Sequence, residues 1–172
     1  MVFRRFLLSS LFALPLISAS VQAHDANKIS CPIASQEVFL WQSPVPQAAV
    51  QQDQLLNQAT IVVNKAYSIT LKPKDSVHFI VKPARLAGNA SYAGMLQFNI
   101  AQKGIYRFVM DSKPWVEIVG NHKKTAMAHH QCGKQCNGIM KAIDFALDPG
   151  QYILEISGNG EPTVKLMIKP VF

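Results

Sequence analysis

Alternating apolar and polar positions recur along the chain from Thr60 onward, and they predict a series of short β-strands. Turn residues separate the runs, for example Asp148-Pro149-Gly150, where Pro fixes φ and Gly permits a positive φ. Short strands with one apolar face and frequent turns are typical of an antiparallel β-sandwich or jelly roll, which is an all-β fold. The apolar positions of the eight runs are Tyr67, Ile69 and Leu71; Val77, Phe79 and Val81; Leu96, Phe98 and Ile100; Tyr106, Phe108 and Met110; Val116 and Ile118; Ile143, Phe145 and Leu147; Tyr152, Leu154 and Ile156; and Val164, Leu166 and Ile168.

Acidic residues occupy several polar positions within these runs. Glu117, Asp144 and Glu155 alternate with apolar residues, so the pattern predicts that their side chains point outward to solvent. The same reasoning places His78 on the solvent side of its run.

The segment before the strand pattern, residues 24–58, is predicted to be a tether with an edge segment. Its apolar stretch Val38-Phe39-Leu40-Trp41 precedes Pro44 and Pro46, which favours an edge strand or extended chain because Pro cannot donate to a strand ladder. The stretch from Gln47 to Gln58 predicts either one short helix or a loop. Residues 59–172 then form the β-sandwich domain.

Residues 1–23 have the organisation of a secretory signal peptide. Arg4 and Arg5 precede an apolar run that is too short to span a bilayer, and Val21-Gln22-Ala23 provides small residues at a cleavage site. Cleavage after Ala23 would make His24 the new amino terminus and deliver a chain without a transmembrane segment to the periplasm or the exterior.

The charge distribution argues against a nucleic-acid partner. The chain has 17 basic and 10 acidic residues, and removal of the two signal-peptide arginines leaves a net charge of +5. These charges are scattered rather than clustered on one predicted face, whereas nucleic-acid-binding surfaces concentrate them. A glycan or a protein remains open as the partner.

Three cysteines reach an oxidising compartment, where thiols tend to form disulfides. The intrachain pairs Cys31–Cys132, Cys31–Cys136 and Cys132–Cys136 are all open, and each leaves one cysteine over.

A cluster of metal-ligating residue types lies between two of the strand patterns. Imidazole with thiolate suits Zn²⁺, and thiolate with thioether suits Cu(I), so the cluster predicts a copper or zinc site in a loop. The alternative is that the cysteines form structural disulfides and the histidines are solvated. The candidate ligands are His129, His130, Cys132 and Cys136, with Met127 and Met140 as softer supplements.

His24 is a second candidate copper ligand, because an amino-terminal histidine can chelate through its α-amine and its ring. Such a site needs another imidazole, and the alternative is an ordinary chain terminus. The only candidates for that imidazole are His78, His122, His129 and His130.

No catalytic motif is present: the sequence lacks a Gly-x-Ser-x-Gly nucleophile elbow and a phosphate-binding glycine loop. We therefore do not predict an enzyme. Trp41, Tyr92 and Trp115 could stack on sugar rings if exposed, although aromatic residues in so apolar a chain favour the core.

The C-terminal half resembles a family of secreted modules. The strings Phe98-Asn99-Ile100, Lys103-Gly104-Ile105-Tyr106, Phe145-Ala146-Leu147-Asp148-Pro149-Gly150-Gln151-Tyr152-Ile153-Leu154 and Ser157-Gly158 are similar to bacterial pre-peptidase C-terminal domains and related carbohydrate-binding-module-like sandwiches. The resemblance implies a jelly-roll fold and an accessory, non-catalytic role. The chain departs from the family setting because no protease or glycosidase domain is attached.

Overall fold

The structure, a computed structural model, describes residues 31–84, 92–132 and 136–171. Within these residues twelve strands form two facing sheets, and the all-β prediction is confirmed. The strands are β1 (Val45–Ala48), β2 (Thr60–Ile61), β3 (Ala66–Thr70), β4 (Lys72–Pro73), β5 (Tyr92–Ile100), β6 (Gly104–Met110), β7 (Trp115–Gly120), β8 (Lys123–Lys124), β9 (Met127–Cys132), β10 (Lys141–Leu147), β11 (Gly150–Asn159) and β12 (Thr163–Val171).

Sheet A has the strand order β1-β3-β12-β6-β10-β9, and sheet B has the order β2-β5-β11-β7-β8 with β4 beside β5. The pairs are antiparallel except β1 with β3 and β2 with β5, which are parallel. The described chain also contains one α-helix, α1 (Val38–Gln42), and four 3₁₀ turns at Ser35–Glu37, Asp53–Gln58, Lys74–Ser76 and Cys136–Gly138.

The inner faces of the two sheets pack on each other and form the main core. Phe98 of sheet B meets Phe108 of sheet A edge to face at 5.6 Å between ring centroids, and Phe108 meets Phe145 at 5.3 Å. For seven of the eight predicted runs, the apolar residues face this core as the pattern indicates.

The remaining run, Val77, Phe79 and Val81, is wrong as a strand. Residues 77–84, which we call the strap, follow the Lys74–Ser76 turn and cross the outer face of sheet B without strand pairing. Val77 is buried, and Phe79 and Ile80 pack against the core cluster. Period-two alternation indicates extended backbone, but here the strap bonds mainly to side chains, apart from its first residues, where the His78 N–H donates to the Gln51 carbonyl.

The apolar stretch at residues 38–41 is also not a strand. It forms helix α1, which places Val38 and Trp41 on one face, one turn apart, while Phe39 on the other face is 73% exposed. The chain then enters β1, an edge strand that contains Pro46, as the missing N–H of proline requires.

Helix α1 covers the outer face of sheet A and creates a second hydrophobic cluster there, which we call the outer core. Trp41 is fully buried, and its indole Nε1 donates to the Asn137 carbonyl at 2.9 Å. A disulfide joins Cys31 to Cys136 with the Cα atoms 5.4 Å apart, so one of the three open cysteine pairings is realised. The buried members of the outer core are Ile33, Trp41, Ala66, Val109, Ile139, Ala142 and Met167.

Candidate functional site

The first part of the predicted metal-binding segment, Met127–Cys132, is an edge strand rather than a loop. β9 pairs with β10, and adjacent residues of a strand point to opposite faces, so His129 and His130 diverge. Both imidazoles are exposed. Burial, then the charges of Lys141 and His129, lower the pKa of His130, which favours its neutral form.

His129 lies over a buried ion pair. Asp144, which we predicted to face solvent, is only 6% exposed because Arg107 grips it through two hydrogen bonds of 2.7 and 2.8 Å. This hydrogen bonding raises the pKa of the Arg107 guanidinium. The Nδ1 atom of His129 is 3.9 Å from the Asp144 carboxylate, which is beyond hydrogen-bond distance.

The disulfide alters the predicted ligand set. Cys136 is bonded to Cys31, so in this structure its sulfur is not a thiolate and the four-ligand site His129-His130-Cys132-Cys136 is not formed. Within the described part of the chain, no group of three or more His, Cys, Asp or Glu side chains converges on a metal position. Met127 is exposed and Met140 is half-buried. The side chain of Cys132, the copper candidate His24 and the signal segment 1–23 lie outside what the structure describes.

Glu117 and Glu155 are the largest departure from the predicted pattern. Both were expected to face solvent, yet they are 8% and 2% exposed, because the strap covers the outer face of sheet B at this point. The two residues are direct cross-strand partners on β7 and β11. Among the described residues, the second carboxylate oxygen of each, Oε2, is buried and has no hydrogen-bond partner.

The first carboxylate oxygen of each glutamate holds the strap. Glu155 Oε1 accepts the backbone N–H groups of Ile80 and Val81 at 2.9 and 3.1 Å, and Glu117 Oε1 accepts that of Ala84 at 3.2 Å. Burial, together with the charge of Glu117, raises the pKa of Glu155, although the two N–H bonds and the nearby ammonium of Lys124 act in the opposite direction.

Lys124 closes this arrangement from β8. Its ammonium donates to Glu117 Oε1 and to the carbonyl of Lys82, both at 2.7 Å. The two carboxylates and one lysine thus replace the missing strand partner of the strap.

A polar groove lies beside the strap on the outer face of sheet B. It encloses about 310 Å³, and its apolar walls are Leu56, Ile80, Val119 and Ile153. Its polar lining residues are Gln97, Asn121, His122 and Gln151. Among these lining residues His122 is the only titratable side chain, so no formal charge is fixed in the groove.

The glutamine side chains of the groove are connected across three strands. Gln151 Nε2 donates to Gln97 Oε1 at 2.9 Å, and Gln97 Nε2 donates to Thr60 Oγ1 at 2.8 Å. This ladder of amides fixes the side-chain positions before any ligand arrives.

The turn between β7 and β8 supplies the remaining polar groups. It is a two-residue hairpin in which Asn121 and His122 have φ values of 50° and 57°. Positive φ at both central positions is typical of a type I′ turn, whose second central position favours glycine. A histidine there carries backbone strain, and strain of this kind concentrates at functional positions.

The aromatic residues considered for sugar stacking do not form one platform. Trp41 is buried in the outer core of sheet A, whereas Tyr92 and Trp115 lie half-buried on β5 and β7 of sheet B with β11 between them. The groove residues were missed because no single sequence motif joins them. The available signal was Gly120-Asn121-His122-Lys123, a hairpin turn with an unusual histidine.

No helix in the described part of the chain is long and apolar enough to cross a membrane. No protein-family model and no curated protein matches the sequence. Among solved structures, the chain resembles the pre-peptidase C-terminal domain of a collagenase from Bacillus anthracis. The two share 16% identity and a TM-score of 0.40 over 64% of this chain and 93% of that one.

Proposed function

We propose that this protein is a non-catalytic binding module of an exported protein, and that the groove on the outer face of sheet B binds an uncharged glycan. The observation that carries this proposal is the ladder of side-chain amides in a groove without fixed charge. Each amide offers two donors and an acceptor, which suits the hydroxyl groups of sugars.

The apolar walls complete the match to a sugar ring. Ile80 and Ile153 provide surface for its C–H groups, while Gln97 and Gln151 are already fixed by hydrogen bonds. Side chains that are ordered before binding lose little conformational entropy when the ligand arrives. An uncharged ligand is favoured because a charged one would lose hydration without gaining an ion pair.

The placement of the acidic pair supports a non-catalytic role. Paired carboxylates are the usual machinery of glycoside hydrolysis, and they must flank the scissile bond. Glu117 and Glu155 instead lie beneath the strap with their Oε1 atoms engaged by its backbone. Their hydrogen bonds hold the strap in place, and neither residue lines the groove.

The disulfide supports an oxidising location for the folded chain. With the signal segment predicted over residues 1–23, we place the mature protein in the periplasm or outside the cell.

Binding of a panel of neutral oligosaccharides to the purified protein tests this function, with Gln151→Ala as the groove variant. We expect the wild type to retain at least one glycan and the variant to bind it about tenfold more weakly, since one hydrogen bond to the ligand is lost. Gln102→Ala is the matched control, because Gln102 is an exposed glutamine outside the groove. Equal loss in both variants, or no glycan retained by the wild type, contradicts the proposal.

Metal binding is a second candidate function, favoured by one observation. The buried Asp144 carboxylate lies 3.9 Å from His129 Nδ1, and a small rotation of the exposed imidazole would form the N–H to carboxylate bond that commonly orients metal-binding histidines. Cys136 is taken up by the disulfide and His130 lies on the opposite face of β9, so the candidate site centres on His129. Titration of the oxidised protein with Zn²⁺ and of the reduced protein with Cu(I) tests this candidate, and uptake unchanged by His129→Ala removes it.

A further inference from the structure

The strap is attached to sheet B by carboxylates rather than by a strand ladder. Three of its backbone N–H groups end on Glu155 Oε1 or Glu117 Oε1, and its Lys82 carbonyl accepts from Lys124. The attachment of the strap therefore depends on the state of two buried acids.

Counted over the described residues, the charge of this cluster does not balance when both acids are ionised. Two carboxylates and one ammonium leave a net charge of −1 in a buried position, which is costly. Each glutamate also keeps a buried Oε2 without a partner among the described residues. Direct cross-strand partners have Cβ atoms about 4.5–5.5 Å apart, so these two carboxyl groups are within reach of each other.

A proton resolves both problems at once. Placed on one Oε2, it donates to the other Oε2, which satisfies the two orphan oxygens and brings the cluster to neutrality with Lys124. We propose that Glu117 and Glu155 share one proton and form a pH-operated latch that holds the strap against sheet B.

Among the residues that the structure describes, few other charges surround the latch. Glu117 comes from β7 and Lys124 from β8, while the β5 residue paired with Glu155 is the uncharged Met95. The strap itself carries His78 and Lys82, whose side chains are exposed. The 3₁₀ turn that precedes the strap adds Lys74 and Asp75.

The direction of the pH response follows from the raised pKa of Glu155. A group whose folded pKa lies above its unfolded value stabilises the fold fully below the unfolded pKa. That stabilisation is lost as the pH rises through the folded pKa. The strap is therefore held most tightly in acid and loosens as the pH rises past the ordinary range of glutamate.

The latch also affects the groove, a step that rests on the proposed function. Ile80 forms a wall of the groove through its side chain and binds Glu155 through its N–H. Loosening of the strap moves this wall, so glycan affinity falls as the latch opens.

Amide hydrogen exchange of the ligand-free protein, measured by NMR between about pH 5 and pH 8, tests the latch. The readout is the protection factor of the Ile80 and Val81 amides, which corrects for the intrinsic pH dependence of exchange. We expect it to fall about tenfold or more in the wild type, because loosening of the strap lets both amides exchange by local opening. Glu155→Gln should stay protected throughout, because its amide cannot lose the latch proton. Glu161→Gln, which changes an exposed glutamate, should behave like the wild type.

A flat wild-type profile, or an unchanged slope in Glu155→Gln, overturns the latch. If Glu155→Gln does not fold, the side-chain carboxyl resonances of wild-type Glu117 and Glu155 decide the matter. If neither resonance titrates above the ordinary glutamate range, the latch is overturned. If one of them titrates above that range, a shared proton is supported. Glycan binding with a flat exchange profile removes the latch alone, whereas a pH-dependent strap without glycan binding removes the proposed function alone.

Discussion

The two outer faces of the sandwich are covered by short segments that are attached by different chemistry. Helix α1 is held on sheet A by a hydrophobic cluster and by a disulfide. The strap also packs Phe79 and Ile80 on the core, but its backbone is held on sheet B by hydrogen bonds to two buried glutamates and one lysine. Apolar burial and a covalent bond do not respond to pH, whereas a pair of acids does. The comparison indicates a permanent cover on one face and an adjustable cover, beside a groove, on the other.

Electrostatic contacts strengthen the cover on sheet A without determining it. Lys169 forms an ion pair with Glu37 just before α1, and the ammonium of Lys165 lies 5.0 Å from the centre of the Trp41 ring. Contacts of this kind contribute little beside the burial of an entire indole. Truncation of Trp41 is therefore the sharpest test of whether apolar burial holds α1 on sheet A.

The largest effect is expected for Trp41→Ala. Removal of a fully buried indole should lower the free energy of unfolding by about 3–5 kcal/mol. Chemical denaturation measures this loss. Phe39→Ala, in the same helix, is the control and should change stability by less than about 0.5 kcal/mol, because Phe39 is exposed. Equal losses in the two variants would mean that the helix faces are assigned the wrong way round.

The disulfide comes next. Its partners are 105 residues apart, so the double variant Cys31→Ser/Cys136→Ser should lose about 2–5 kcal/mol of stability in denaturant. Cys132→Ser serves as the control, since the third cysteine is left over when Cys31 and Cys136 pair. A loss in Cys132→Ser as large as that in the double variant would instead indicate one of the other pairings, because both of them contain Cys132.

Removal of the Lys124 charge beside the strap should have a smaller, pH-dependent effect on stability. Lys124→Met removes the ammonium that Glu117 and the Lys82 carbonyl share, and it should cost about 1–3 kcal/mol near pH 8. The cost should shrink in acid, where the shared proton leaves Lys124 only one carboxylate to balance instead of two. Thermal unfolding of the wild type and the variant, measured near pH 8 and in acid, gives the cost under each condition. A pH-independent cost would show that Lys124 acts only through packing.

The smallest effect on stability is expected in the groove turn. His122→Gly should raise stability by about 0.5 kcal/mol, since relief at the positive φ is partly offset by the greater freedom of glycine in the unfolded chain. The same change should weaken glycan binding about tenfold through loss of a hydrogen-bonding group. Denaturation and calorimetry on one sample measure both quantities. A variant that gains stability and keeps its affinity removes His122 from the site.

The sequence predicts the sandwich well because apolar alternation reports directly which residues face the core. Seven runs lie in strands with the expected faces. The same alternation fails at residues 77–81, because it specifies extended backbone and cannot tell a strand partner from a carboxylate. A different signal fails at residues 38–41, where a continuous apolar stretch of four residues is too short to separate a strand from one helical turn.

The candidate site is harder to predict because its parts are distant in sequence. Glu155 is buried by a strap about 75 positions earlier in the chain, and alternation along β11 contains no trace of that cover. One local signal was available: glutamate is disfavoured in strands, yet Glu117 and Glu155 both lie at mid-strand. The metal-binding pattern at residues 127–140 groups His129 with His130, which strand alternation turns to opposite faces of β9. It also includes Cys136, which is bonded to Cys31.

The central claim is that the groove on the outer face of sheet B binds a neutral glycan. Its most direct test is a map of backbone amide shifts as a glycan that the wild type retains is titrated into isotopically labelled protein. The account predicts that shifts concentrate on the outer face of sheet B, at Gln97, Gln151, His122 and Ile80, while α1 and β9 stay unchanged. Shifts confined to α1 and the outer core, or centred on His129 and His130, would contradict it.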